Sequence, residues 1–216
     1  MSRPALSEEE RFNRRAALLE AAQRLYRDRG MLPTVRDIAK AAGMAKGAVY
    51  LWFRTKEEIF VALLDADFGM LITRLLCVIE SLDPFPAQAA GRFAAAYAKL
   101  LGEVPGILPL TCMPNSIFKE NLPIEALSRF NKNLGAGLLA AGELLERRVG
   151  SFRPGQGADL LFRTWTITVG LWQVLDLPES LRKILDAPAL SILHREFHKE
   201  LETAVAQLWR GAMSSG

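Results

Sequence analysis

The chain has 216 residues, half of them apolar, and carries 27 Lys and Arg against 24 Asp and Glu for a net charge of +3. That length supports one buried core with a small appendage and needs no disulfide staple. Its two cysteines, Cys77 and Cys112, lie far apart without a C-x-x-C spacing, which excludes a disulfide framework and points to a reducing, cytoplasmic setting.

The amino terminus, MSRPALSEEERFNRR, has no apolar h-region, so secretion is not expected. The least charged run, TWTITVGLWQVL at 164–175, is too short to span a bilayer and is broken by threonines and a glutamine. A soluble protein with no membrane partner is expected. Charge is uneven: residues 1–64 hold 12 Lys and Arg against 8 Asp and Glu, while the remainder holds 15 against 16. A basic front on a nearly neutral body is what a chain shows when only the front meets a polyanion.

Breakers cluster at Gly30 to Pro33, Gly43, Asp83 to Pro86, Pro105 to Pro114, Pro123, Gly150 to Gly157 and Pro178 to Pro188, with helical patterns between them. No stretch shows sustained period-two alternation, so an all-helical fold is expected. Leu18, Ala22 and Leu25 recur at i, i+4 and i+7 in a first helix that ends near Gly30. Thr34 followed by Asp37 reads as a capping box that starts a second, short helix to Gly43. The turn Gly43-Met44-Ala45 leads to a third short helix from about Lys46. Thr55 followed by Glu58 reads as another capping box and opens a fourth helix that continues to Glu80. Farther on, helices are expected at 86–103, 106–118, 123–149, 156–176 and 188–212.

The third helix, within AKGAVYLWFRTKEEIF, mixes apolar and basic residues in a way that an ordinary surface helix does not. On a wheel of roughly 100° per residue with Val49 inward, Ala45, Trp52 and Phe53 fall on the same side and are expected in the core. Gly47, Ala48, Tyr50 and Leu51 face outward, with Lys46 at the tip. A two-helix unit whose second helix exposes small residues, a tyrosine, a leucine and a lysine meets the demands of major-groove entry. Small residues let the backbone approach base edges, and Leu51 can meet a thymine methyl group.

TVRDIAKAAGMAKGAVYLWFRTKEEIF resembles the amino-terminal DNA-binding region of the TetR (tetracycline repressor) family over about residues 12–64. The resemblance implies an amino-terminal helix-turn-helix three-helix DNA-binding domain at 1–62 and an α-helical ligand-binding and dimerisation domain at 63–216. By matched position, Tyr50 resembles a phosphate-contacting tyrosine and Lys56 a lysine that meets phosphate at the start of the fourth helix. Thr34 resembles the threonine that caps the second helix and touches the DNA backbone, and Lys46, Gly47 and Ala48 match base-proximal positions. Ala45 departs from the family's serine or threonine, losing a cap worth about 1 kcal/mol.

The resemblance further implies a homodimer on a double-stranded, pseudo-palindromic operator and a small-molecule effector. In helix 156–176, Leu160, Ile167, Leu171 and Val174 form one apolar side and Leu161, Trp165, Thr168 and Trp172 another; helix 188–212 adds Leu193, Phe197, Leu201, Val205 and Leu208. A four-helix dimer interface is the resulting expectation. The pocket candidates Phe93, Tyr97, Met113, Phe118, Phe162, Trp165 and Trp172, with Phe68, Met70, Leu110, Phe130, Asn115 and Thr168 beside them, favour an apolar or aromatic effector.

No phosphate loop or nucleophile elbow is present, and no enzyme activity, catalytic residue, metal or cofactor is expected. His194 and His198 stand at i, i+4 in HREFH, with Arg195 where a zincin has its glutamate. These histidines, or Cys77 and Cys112 with Arg74 one turn before Cys77, define an alternative: a metal- or redox-responsive regulator.

Overall fold

A computed structural model describes residues 7–29, 32–82, 86–104, 106–112, 123–185 and 188–214. Among these residues every regular element is helical: α1 (Glu8–Arg29), α2 (Val35–Ala41), α3 (Lys46–Val49), α4 (Lys56–Glu80), α5 (Pro86–Gly102), α6 (Ile107–Thr111), α7 (Ile124–Val149), α8 (Gln156–Leu175), α9 (Glu179–Leu185) and α10 (Phe197–Ser214). None of these helices is long and apolar enough to cross a membrane. The described residues fall into two compact units. One belongs to Met1–Asp67 and Met113–Lys132, the other to Phe68–Cys112 and Asn133–Gly216. The division cuts through α4 and α7.

In the first unit, α2 packs between α1 and α3. Leu18, Ala22, Ile38, Val49, Phe53, Ile59 and Phe60 are fully buried, which gathers one apolar stripe from each helix. Asp67, also buried, accepts a 3.0 Å bond from Gln23 Nε2 of α1. Burial pushes its carboxyl above the ordinary value, against the opposing charge of Arg27 and the Gln23 bond.

The helical wheel extends too far at α3. Only four residues are helical there, so Ala45 is an exposed N-cap residue and Trp52 lies in the following turn, half-buried beneath the Arg11 guanidinium at 5.7 Å. Val49 and Phe53 do enter the core.

In the second unit, α10 packs on α5 and α8. Trp209 of α10 is completely buried and stacks on Phe93 of α5 with ring centroids 3.5 Å apart; Phe93 also stacks on Tyr97 at 5.6 Å. Aromatic burial on this scale supplies much of the apolar area that holds the three helices together. The α7–α8 hairpin closes more tightly still. A Cβ on Gly157 would collide with the Gly142 carbonyl, so both positions require glycine. Glu146 Oε1 of α7 accepts from the backbone N–H groups of Gly155 (2.8 Å) and Gly157 (2.9 Å), satisfying donors that the start of α8 leaves free.

Two expected helices are shorter than the sequence suggests. The element expected at 106–118 is helical over Ile107–Thr111, and its continuation lies outside the described residues. The span 188–212 begins as a 3-10 helix, Pro188–Leu193, and α10 starts only at Phe197. Arg195 ends that first turn by donating from Nε to the Ile192 carbonyl and from its backbone N–H to Leu193. His194 therefore precedes the helix that carries His198, and the pair lacks the i, i+4 geometry of a metal-binding helix.

The residues expected in the four-helix interface divide, with Val174 and Leu193 exposed. Leu160, Leu161, Thr168, Leu201 and Val205 are buried within this chain, because α8 and α10 form its own core. Val174 belongs to an exposed row of α8 at steps of four, with Phe162, Thr166 and Gly170.

Candidate functional site

Local chemistry builds the outward corner of the first unit. Thr34 caps α2 in a closed box: its hydroxyl accepts from the Asp37 N–H at 3.2 Å, and the Asp37 carboxylate accepts from the Thr34 N–H at 3.3 Å and from its hydroxyl at 2.8 Å. Arg29 pairs with the same carboxylate at 3.2 Å. The Thr34 bonds first, then Arg29, hold Asp37 below the ordinary carboxylate range. Both Thr34 protons are thus committed to Asp37, and Thr34 serves to fix the entry of α2.

Gly43 takes φ +66° in the turn, a conformation that side-chain-bearing residues rarely adopt. The turn delivers α3 with Lys46 and Gly47 exposed and Ala48 half-buried. A Cβ on Gly47 would meet nothing within 4 Å, so the helix presents bare backbone to its surroundings. Beyond it, Tyr50 is 48% and Leu51 74% exposed. So large an exposed leucine beside a tyrosine marks a surface that expects a partner.

At the start of α4, Thr55 Oγ1 accepts from the Glu58 N–H at 3.2 Å, while the Glu58 carboxylate accepts at 2.7 Å from the N–H of Arg54. The box is offset by one residue from the expected Thr55–Glu58 reciprocity. Lys56 follows directly, its Nζ 5.7 Å from the Phe60 ring centroid. Arg15 of α1 lies 5.1 Å over Phe53, which adds a guanidinium to the same unit. Helical periodicity does not point to these ring contacts, since the aromatic partners of Arg11 and Arg15 lie some forty residues away.

The second unit contains a cavity of about 100 Å³ with almost purely apolar walls. Phe68, Leu71, Ile72 and Leu75 of α4 form one side, Leu134 and Leu138 of α7 another, and Tyr97 with Leu161, Phe162, Thr164 and Trp165 the remainder. Phe68 and Trp165 meet edge-to-face at 5.0 Å. Of the expected pocket residues, Phe68, Tyr97, Phe162 and Trp165 line this cavity. Phe93 does not, because it is sandwiched in the aromatic core, and Trp172 does not, because it packs edge-to-face on Phe197 at 5.1 Å. Met113, Asn115 and Phe118 lie outside the described residues. The aliphatic wall is absent from the sequence-based candidates, although Leu71, Ile72 and Leu75 follow Phe68 at helical spacing and carried a readable signal.

Groups that define a redox or metal sensor are differently placed. Arg74 pairs with Glu103. Burial, reinforced by Asp176, pushes the Cys112 thiol up, away from a reactive thiolate. Among the described residues no group of three or more His, Cys, Asp or Glu is placed to hold a metal ion.

Comparison with known proteins decides the family. Residues 18–63 match the model of bacterial regulatory proteins of the tetR family, and residues 70–216 match the tetracyclin repressor-like C-terminal domain. The chain belongs to the TetR family. Among TetR relatives, the fatty acid metabolism regulator protein of Bacillus subtilis is 36% identical over 166 residues, covering 74% of this chain and 83% of that protein. The transcriptional repressor KstR2 of Mycobacterium tuberculosis is 35% identical over 86 residues, and the match spans 39% of this chain but only 43% of that repressor. Solved TetR-type structures share the fold: FadR from Bacillus halodurans has a TM-score of 0.57 at 19% identity, covering 91% of this chain and 94% of that one. FadR from Bacillus subtilis in complex with stearoyl-CoA has a TM-score of 0.54 at 21% identity, covering 93% and 98%.

Proposed function

We propose that this chain is a transcriptional regulator, most simply a repressor, that binds a pseudo-palindromic operator as a homodimer and leaves it when a small, mainly apolar molecule binds. The observation that carries this reading is the exposed corner of the first unit, where bare backbone at Gly47 stands beside Tyr50 and Leu51 in a TetR-family chain. Lys46, Gly47 and Ala48 would approach base edges and Leu51 a thymine methyl group, while Tyr50 and Lys56 contact phosphates. Thr34 acts by capping α2. The domain boundary is proposed near residue 62, with the effector and dimer functions in 63–216.

The row Phe162, Thr166, Gly170 and Val174 supports pairing of α8 with a second copy. Phe162 also lines the cavity, so a ligand there would touch the pairing face directly. An effector releases the operator only by binding one arrangement of the dimer more tightly than the DNA-bound one. Because FadR of Bacillus subtilis was crystallised with stearoyl-CoA, a fatty acyl thioester is the first compound to test.

The deciding experiment is footprinting on fragments of the protein's own upstream region with excess unrelated DNA, with and without stearoyl-CoA. A protected two-fold symmetric site supports the regulator, and its loss on adding the thioester supports the effector class. Weak binding indifferent to sequence would overturn the reading.

A further inference from the structure

Tyr97 and Thr164 carry the hydroxyl groups of the cavity wall, beside the Trp165 indole, and neither has a hydroxyl proton to spare. Thr164 Oγ1 donates to the Leu160 carbonyl at 2.8 Å and accepts from Trp209 Nε1 at 2.9 Å. Thr168 Oγ1 donates to the Thr164 carbonyl at 2.7 Å, so in its 3.1 Å contact with Tyr97 it is the acceptor and the tyrosine is the donor. Thr168 and Trp209 do not line the cavity. Among the described residues, every buried side-chain nitrogen and oxygen has a hydrogen-bond partner.

We propose that Thr168 is a specificity-determining residue: by holding the Tyr97 proton, it leaves the cavity wall without a free hydroxyl donor, so the site favours hydrocarbon over carbonyl-bearing groups. Trp209 assists by fixing the Thr164 hydroxyl toward Leu160. A carbonyl entering this wall would give up its water bonds and find both hydroxyl protons already committed, whereas a hydrocarbon of the same shape loses nothing. The polar end of any effector must then remain outside the cavity. This inference rests on the reading of the cavity as the effector site.

The test uses two small rings of matched shape, methylenecyclopentane and cyclopentanone, titrated by NMR into the full-length protein without DNA. The parent protein is expected to favour methylenecyclopentane by at least roughly tenfold. Thr168→Val, which bares the Tyr97 hydroxyl, should narrow that preference by about tenfold. Thr168→Ser should retain it, and adding Tyr97→Phe to Thr168→Val should restore it. Equal binding of the two rings by the parent, binding of neither, or an unchanged preference in Thr168→Val would overturn the proposal. Should Thr168→Val fail to fold, Thr168→Ala, which also removes the acceptor for the Tyr97 proton, is expected to narrow the preference in the same way, and an unchanged preference there would overturn the proposal. Because no DNA is present, failure of the regulator reading registers only in the footprint.

Discussion

The outward corner of the first unit and the cavity of the second are built on opposite plans. The corner is assembled from residues 34–58, held by caps between near neighbours, and keeps Tyr50 and Leu51 exposed. The cavity gathers residues from 68 to 165, and its polarity is set by side chains behind its walls. The difference teaches that a surface for a partner can be specified locally, whereas a selective interior depends on how distant helices pack. Substitutions in the packed core of either unit should therefore change mainly stability, and those at the exposed corner mainly binding.

The largest effect is expected at Trp209→Ala. Removing a fully buried indole that stacks on Phe93 and bonds Thr164 should cost about 3–5 kcal/mol in urea unfolding. A loss below 1 kcal/mol would show that the aromatic core does not hold the second unit. Gly157→Ala forces a methyl group into the Gly142 carbonyl, and an overpacking cost of about 1–3 kcal/mol or more is predicted from the same measurement. Neutral behaviour there would refute the tight α7–α8 contact.

Ala45→Ser addresses the first unit. It supplies the cap that α3 lacks and should stabilise the protein by about 1 kcal/mol, seen as a higher urea midpoint. The smallest effect concerns Asp67. Its folded carboxyl titrates above its unfolded value, so the folded state holds a proton more readily and stability falls as pH rises through that window. Asp67→Asn keeps a partner for Gln23 and removes the buried charge. Its advantage over the parent should be present at neutral pH and vanish below pH 3.8, the ordinary value for this group. An advantage that persists unchanged into acid would contradict the burial account.

Most of the first unit is legible in the sequence, because the Thr34 cap and the Gly43 turn depend on spacing that a single stretch displays. Even there, extending the wheel beyond the four residues of α3 misplaced Ala45, since nothing local announces where so short a helix stops. Cavity residues divide differently. Aromatic content draws attention to Tyr97, Phe162 and Trp165, but also to Phe93 and Trp172, which pack elsewhere. Which large side chain lines a hole and which fills the core depends on helix crossings that periodicity does not encode. Thr168 shows the same limit, since its partner Tyr97 stands 71 residues away.

The most direct test of the central claim, that the corner around α3 and the start of α4 meets DNA, is the salt dependence of operator binding by Lys56→Ala beside the parent. A phosphate contact predicts weaker binding to all sequences and a log–log salt slope smaller by about one. An unaltered slope would contradict the placement of Lys56 against the DNA backbone, and with it the docking geometry proposed for the whole corner.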